Sequence, residues 1–256
     1  MENNNLDIDC KGDMLRVQNA FLNNISHEIR TPLNAIIGCS EIISMPDTDR
    51  ETVGELSQQL RKHSNYLLKM LDNIITLSKL EAGLIKCNPS KFDLVFLFSY
   101  IYHSSRSLIA TDFSKRNRVS YRMESLLGDT PIYVWADDTI ICQMVNALVD
   151  NAIKFTDDGS VTLSVSIAAD SEKSSSDYVL EVRVSDTGIG IPLEGRASIF
   201  GKFKKLSPDP SRIFDGAGLG LAIVNTFADM VNGCISYESE PGKGTEFTLQ
   251  IPVVRC

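Results

Sequence analysis

Near the start of the chain, the stretch Asn24-Ile25-Ser26-His27-Glu28-Ile29-Arg30-Thr31-Pro32-Leu33-Asn34 sets an imidazole beside a carboxylate, with a hydroxyl four residues on and a proline one further. At about 100° per residue, His27 falls about 200° from Ile25, on the side of a helix away from its apolar stripe, which argues against a packing role. A neighbouring carboxylate can hold the proton on one ring nitrogen and leave the other as a nucleophile. Thr31 stands one turn above His27 on the same face. Pro32 removes the hydrogen bond to the carbonyl of Glu28, which predicts a bend beside the histidine. Taken alone, a His-Glu pair is more often a solvated surface histidine with an acidic neighbour.

Four further segments carry residues suited to a nucleotide. "NALVDNAIKFT" predicts a helix whose core face holds Met144, Val145, Leu148, Ala152 and Phe155, with Asn151 and Lys154 flanking it on one side and Asn146 nearly opposite. The amide oxygen of Asn151 suits a magnesium ion that keeps most of its waters and bridges to phosphates, and Lys154 offers those phosphates a point charge. In "DTGIGIP", Asp186 can accept a hydrogen bond from an exocyclic amine such as that of adenine, while Gly188 and Gly190 let backbone approach the base. "GAGLGLAIV" places Gly216, Gly218 and Gly220 at a helix start, where free amides and the helix dipole favour phosphate. "GKGTEF", which includes Thr245, closes the set with a tight turn before the last strand. Singly these are weak signals, since a glycine-rich turn before a helix is commonly only a turn and a lone Asn or Asp is commonly a cap. Their order makes coincidence a poor explanation.

The elements that must position these residues differ between the two parts of the chain. Met14, Phe21, Ile29, Pro32, Ile36, Cys39 and Ile43 fall within about 40° of Ile25, a narrow apolar stripe. After a turn at Pro46, Leu56, Leu60, His63, Leu67, Met70, Ile74 and Leu77 follow steps of four and three. A hairpin of two long helices with that much apolar surface predicts pairing into a homodimeric four-helix bundle. Gly83 and Pro89 end the second helix and put a boundary between a first domain, 1–87, and a second, 88–256. Beyond it an amphipathic segment (94–113), strands in "RVSYRM", "PIYVWA", "SVTLSVSIA" and "YVLEVRVSD", and a helix opened by Asp137 predict an α/β sandwich, helices covering one face of a mixed sheet. His63 lies on the seam and reads as a packed histidine, and His103 has no acidic neighbour.

The 33 acidic against 25 basic residues, net charge −8 over 256 residues, exclude an extended nucleic-acid surface. The six cysteines are widely spaced, without CxxC, and read as reduced thiols. No apolar run approaches the about 20 residues of a membrane helix, which leads to the expectation of a cytoplasmic chain, or the cytosolic part of a membrane-bound sensor.

The ordered segments "FLNNISHEIRTPLNAIIG", "NAIKFT", "DTGIGIP", "IFGKF", "GAGLGLAIV" and "GKGTEF" resemble the H, N, G1, F, G2 and last glycine boxes of sensor histidine kinases, from about Leu15 to Pro252. The resemblance implies a dimerisation and phosphoacceptor hairpin followed by an ATP-binding domain of GHKL (Bergerat) type. It implies phosphorylation of His27, assisted by Glu28, from Mg-ATP, and transfer to an aspartate on a response regulator receiver domain, with Thr31 helping water in the reverse, phosphatase reaction. It makes Asn151 the magnesium ligand, Lys154 a phosphate contact and Asp186 the adenine anchor, with Phe200 and Phe203 bordering an ATP lid from about Pro192 to Asp215. The sequence departs from the family where an asparagine is usual four residues before Asn151, for Ala147 stands there. Two other readings follow. One is a degenerate ATP-binding scaffold or phosphatase-biased module with weak kinase activity. The other is a GHKL ATPase, for which position 147 lacks the carboxylate that would activate water.

Overall fold

The computed structural model describes residues 3–111, 115, 118–169, 177–202, 204 and 218–256. Two long helices open it. α1, Asn3–Ile43, continues unbroken through Pro32. α2, Arg50–Glu81, begins where Asp49 accepts hydrogen bonds from the amides of Glu51 (3.0 Å) and Thr52 (2.9 Å), satisfying donors that a helix start leaves open. It ends where Gly83 takes a left-handed φ of 64° and the Leu84 amide turns back to the Lys79 carbonyl at 2.9 Å. The helices pack on each other as a hairpin. On α1, Pro32 and Cys39 are buried and Ile25, Ile36 and Ile43 are half-buried; on α2, His63, Met70 and Leu77 are buried, as the seam predicts. A second apolar face lies open to solvent: Leu33 and Ile37 on α1, Leu68, Leu71 and Ile75 on α2.

The second unit is a two-layer sandwich. Its elements are β1 (Ser90–Asp93), α3 (Leu94–Thr111), β2 (Val119–Ser125), β3 (Tyr133–Ala136), α4 (Asp138–Phe155), β4 (Gly159–Ala169), β5 (Asp177–Asp186), a short 3-10 helix (Leu193–Ser198), α5 (Gly220–Met230), β6 (Cys234–Glu240) and β7 (Gly244–Arg255). The strands run in the order β1-β3-β7-β5-β4-β2, and β6 pairs with β7 on the edge that β3 reaches further along. β2 and β4 are parallel and the other pairs antiparallel, so the sheet is mixed. Alternation puts Val161, Leu163, Val165, Leu180, Val182, Val184, Phe247, Leu249 and Ile251 on the buried face, against Ile141, Met144, Leu148 and Phe227 of the helices. Thr162, Ser164, Arg183 and Gln250 lie on the opposite, more polar face.

Strands β1 and β6, which the sequence pattern does not announce, are short and carry few large apolar residues, so little periodicity marks them. Asp137 does two things: Oδ1 caps α4 through the Ile140 amide (3.0 Å), and Oδ2 accepts from the Asn88 amide (2.8 Å), tying the segment after α2 to the sandwich. α2 in turn packs on α5, and Met70, Leu77 and Leu80 join the same apolar cluster as Val224 and Phe227. Ion pairs Lys69–Asp150 and Lys202–Glu81 flank that contact.

Candidate active site

His27 is exposed on α1, as its angular position predicts. Glu28, one residue on, is half-buried and leans towards α2, where the Tyr66 hydroxyl donates to its Oε2 at 3.0 Å. Thr31 is exposed and donates from Oγ1 to the His27 carbonyl at 3.3 Å, consistent with its place one turn above the imidazole. An accessible ring nitrogen beside a braced carboxylate is an arrangement suited to nucleophilic attack on an electrophile delivered from outside the hairpin.

On the sandwich, α4 ends and the turn after β5 begins around one small region. Asp186 is 8% exposed, and its Oδ1 accepts from the Gly188 amide at 2.8 Å. Burial pushes its carboxyl up from the ordinary range, opposed by amide hydrogen bonds from Gly188 and Thr245. The surrounding glycines are demanded by space. A Cβ at Gly188 would lie 2.3 Å from the Phe155 carbonyl oxygen, and one at Gly244 would lie 1.8 Å from the carbonyl oxygen of Asp186, with φ already at +113°. Thr245 is buried, its Oγ1 2.9 Å from Ser239 Oγ. Ser239 also accepts from the Ile191 amide at 2.8 Å, which fixes the loop after Gly190.

Asn151 is half-buried on α4, and its amide nitrogen lies 3.9 Å from where a Cβ on Gly220 would stand, so the side chain faces the first turn of α5. Among the described residues that helix start has no side-chain cap, unlike those of α2 and α4, and Gly218 just ahead of it takes φ +66°. Uncapped amides there favour an anion. Lys154 is half-buried with its ammonium 4.3 Å from the centre of the Phe155 ring. Phe200 packs edge-on against Tyr237 at 6.0 Å. Phe203, Gly216 and half of the lid expected over 192–215 lie outside the described residues.

Two family models match the chain in sequence order. The His Kinase A (phospho-acceptor) domain matches residues 17–83, and the Histidine kinase-, DNA gyrase B-, and HSP90-like ATPase matches residues 136–255. The chain belongs to the sensor histidine kinases. Curated relatives agree: Sensor histidine kinase RcsC of Escherichia coli (strain K12) is 34% identical over 91% of this chain and 23% of its own length. Signal transduction histidine-protein kinase BarA of the same strain is 30% identical over 98% of this chain and 27% of its own. The chain thus spans about a quarter of the length of these relatives. Among solved structures, full-length ShkA in complex with AMPPNP superposes with a TM-score of 0.60 at 25% identity, covering 93% of this chain and 46% of that one. Acinetobacter baumannii histidine kinase AdeS shares the fold, with a TM-score of 0.58 at 24% identity over 88% and 96% of the two chains.

Several residues of this histidine kinase that bear on the site are not announced by its sequence. Tyr66 and Lys69 sit on the α2 seam's flank, and nothing in their spacing tells that one meets Glu28 and the other Asp150, next to Asn151. Lys115 donates to the carbonyls of Ile153 (2.5 Å), Lys154 (2.8 Å) and Thr156 (2.8 Å), closing the C-terminus of α4 with a cation where the helix dipole favours one. Lys202, within the F box, pairs with Glu81 of α2. Among the described residues no three His, Cys, Asp or Glu side chains cluster as a metal site. A divalent ion held by the Asn151 amide would therefore find its balancing charge on phosphates, which is how magnesium with few protein ligands is ordinarily bound.

Proposed function

We propose that this histidine kinase transfers the γ-phosphoryl group of ATP to His27. A ring nitrogen of His27 attacks the γ-phosphorus; the P–N bond forms as the bond to the β-γ bridging oxygen breaks, and ADP leaves. Glu28 holds the proton on the other ring nitrogen and so keeps the attacking one nucleophilic. Asp186 accepts from the adenine amine, Gly188 and Gly190 set the loop beside the base by fitting against the carbonyls of Phe155 and Glu240, and Thr245 supports the Asp186 end of the pocket. Phosphates lie against the amides after Gly218 and Gly220 and near Lys154, with Phe200 bordering them; Gly216 and Phe203, outside the described residues, join this set through the resemblance alone. Asn151 holds magnesium, which when bound neutralises phosphate charge.

The wider reading follows from the same parts. The phosphoryl group passes to an aspartate of a response regulator receiver domain, and Thr31 orients water in the reverse reaction. The hairpin, 1–87, pairs with a second copy through the open face of Leu33, Ile37, Leu71 and Ile75, and 88–256 is the catalytic unit. The protein works in the cytoplasm, alone or as the cytosolic part of a membrane-bound sensor; no described helix is long and apolar enough to cross a membrane.

The observation that carries this reading is the exposed imidazole of His27 beside half-buried Glu28, on a helix that the phospho-acceptor model matches. Incubation with γ-labelled ATP tests it. The expected label is acid-labile, alkali-stable and absent from His27→Gln; label that persists in that variant defeats the assignment.

One observation favours a second reading, a module with weak kinase activity that acts chiefly as scaffold or phosphatase. Ala147 offers no amide one turn before Asn151 and packs against the core, and the neighbouring Asn146 turns its amide to Cys142 Sγ at 3.3 Å. Ala147→Asn is then expected to raise the phosphorylation rate about tenfold at unchanged ATP affinity. An unchanged rate removes this second reading's support.

A further inference from the structure

Glu28 is held from outside its own helix. The Tyr66 hydroxyl reaches its Oε2 at 3.0 Å across 38 residues of chain, and both side chains are half-buried. The Tyr66 ring packs against the same apolar cluster that receives Ile25, which lies three residues before Glu28 on α1. A phenol on a packed ring is in place as soon as the two helices pair, because its ring has little freedom left. A glutamate on an open helix face, by contrast, spreads over its rotamers and must be ordered in each reactive encounter. One donor at Oε2 restrains the plane of the carboxylate. It does not exhaust it, since an ionised carboxylate accepts about four hydrogen bonds.

The place of Tyr66 on α2 adds to this. Three residues on, Lys69 pairs with Asp150, the residue before Asn151. One turn of α2 therefore touches both the acid beside His27 and the helix that carries Asn151.

We infer that Tyr66 is a positioning residue for phosphorylation of His27, bracing Glu28 so that its carboxylate is set towards the imidazole when ATP arrives. The inference rests on the proposed role of Glu28 as the group that holds the imidazole proton. Tyr66 touches neither His27 nor nucleotide on this account; it acts through Glu28. Its loss should slow the phosphorylation step and leave ATP binding alone.

The test is a double-mutant cycle on the whole chain, with Tyr66→Phe, Glu28→Gln and the pair, reading initial rates of His27 labelling against γ-labelled ATP concentration. Tyr66→Phe keeps the ring and removes the donor. The expected result is a fall of about three- to tenfold in the rate at saturating ATP, with KM for ATP unchanged, and no further fall when it is added to Glu28→Gln. Any general loosening of the hairpin would slow both backgrounds by the same factor. An equal loss in both backgrounds therefore overturns the inference, as does a wild-type or faster rate in Tyr66→Phe, or a loss carried by KM. Wild-type protein that takes no label on His27 overturns the proposed function and this inference together, and that outcome shows before any Tyr66 variant is made.

Discussion

Asp186 combines two requirements that pull against each other. On the proposed function it must be enclosed to present a shaped edge to a base, and enclosure penalises its charge, so burial raises its carboxyl above the ordinary value of 3.8. Between that value and the raised one the folded state binds more protons than the unfolded. Stability therefore declines as pH rises through the window, and at neutral pH the ionised carboxylate is a cost. Asp186→Asn should then melt no lower than wild type at pH 7, with the difference narrowing as pH is lowered towards 4, while the proposed role has ATP affinity fall at least about tenfold, a donor replacing the acceptor offered to the adenine amine. Thermal melts across pH and ATP-analogue titrations measure the two effects separately. His27, Asp186 and the glycines were legible as candidates because residue type and spacing express their chemistry directly. The crowding that excludes even a methyl group at Gly244 was not, since it comes from the Asp186 carbonyl about 58 residues away in the chain.

Helices in this protein are steadied at points their own periodicity does not reveal. Lys115 satisfies three carbonyls at the end of α4, and its side chain is 15% exposed, so water replaces it poorly. Lys115→Met should cost about 2 kcal/mol of stability, read by denaturant unfolding, and should disturb the neighbouring Asn151–Phe155 turn. In α2, the buried His63 has its pKa lowered from 6.5, by burial first and the Lys62 charge second. Its folded value lies below its unfolded one, so the hairpin is fully stable above about pH 6.5 and loses that contribution as pH falls through the folded value. Melting of the hairpin between pH 7.5 and 5.5 should show the decline, and His63→Leu should flatten it. The seam that holds His63 was readable because burial repeats at helical spacing. The short strands β1 and β6 were not, because their pairing with β3 and β7 and not their composition makes them strands.

At the level of the whole molecule, the open apolar faces of the hairpin have the composition of an interface. Ile37 is 48% exposed and Leu71 51%, on helices whose other faces are already packed. Ile37→Glu should convert the proposed dimer to a monomer by light scattering, and ATP-analogue binding by the sandwich should stay within about twofold, since Ile37 belongs to α1 of the hairpin while Asp186 and Asn151 belong to β5 and α4. The contact between α2 and α5 is of another kind. Its apolar centre at Met70 and Leu77 is flanked by the pairs Lys69–Asp150 and Lys202–Glu81; with Lys69 60% exposed and Lys202 46%, these ions are screened and steer the contact more than they stabilise it.

By itself the sequence determined that a histidine beside a glutamate stands outward on a helical hairpin and that a glycine-punctuated α/β lobe follows it, because periodicity and local spacing are properties of neighbouring residues. Only the tertiary structure decided that Tyr66 braces Glu28, that Lys115 closes α4 and that Asp186 sits enclosed. Each of these joins segments tens of residues apart, and such meetings are settled by how whole faces pack, which no local pattern encodes.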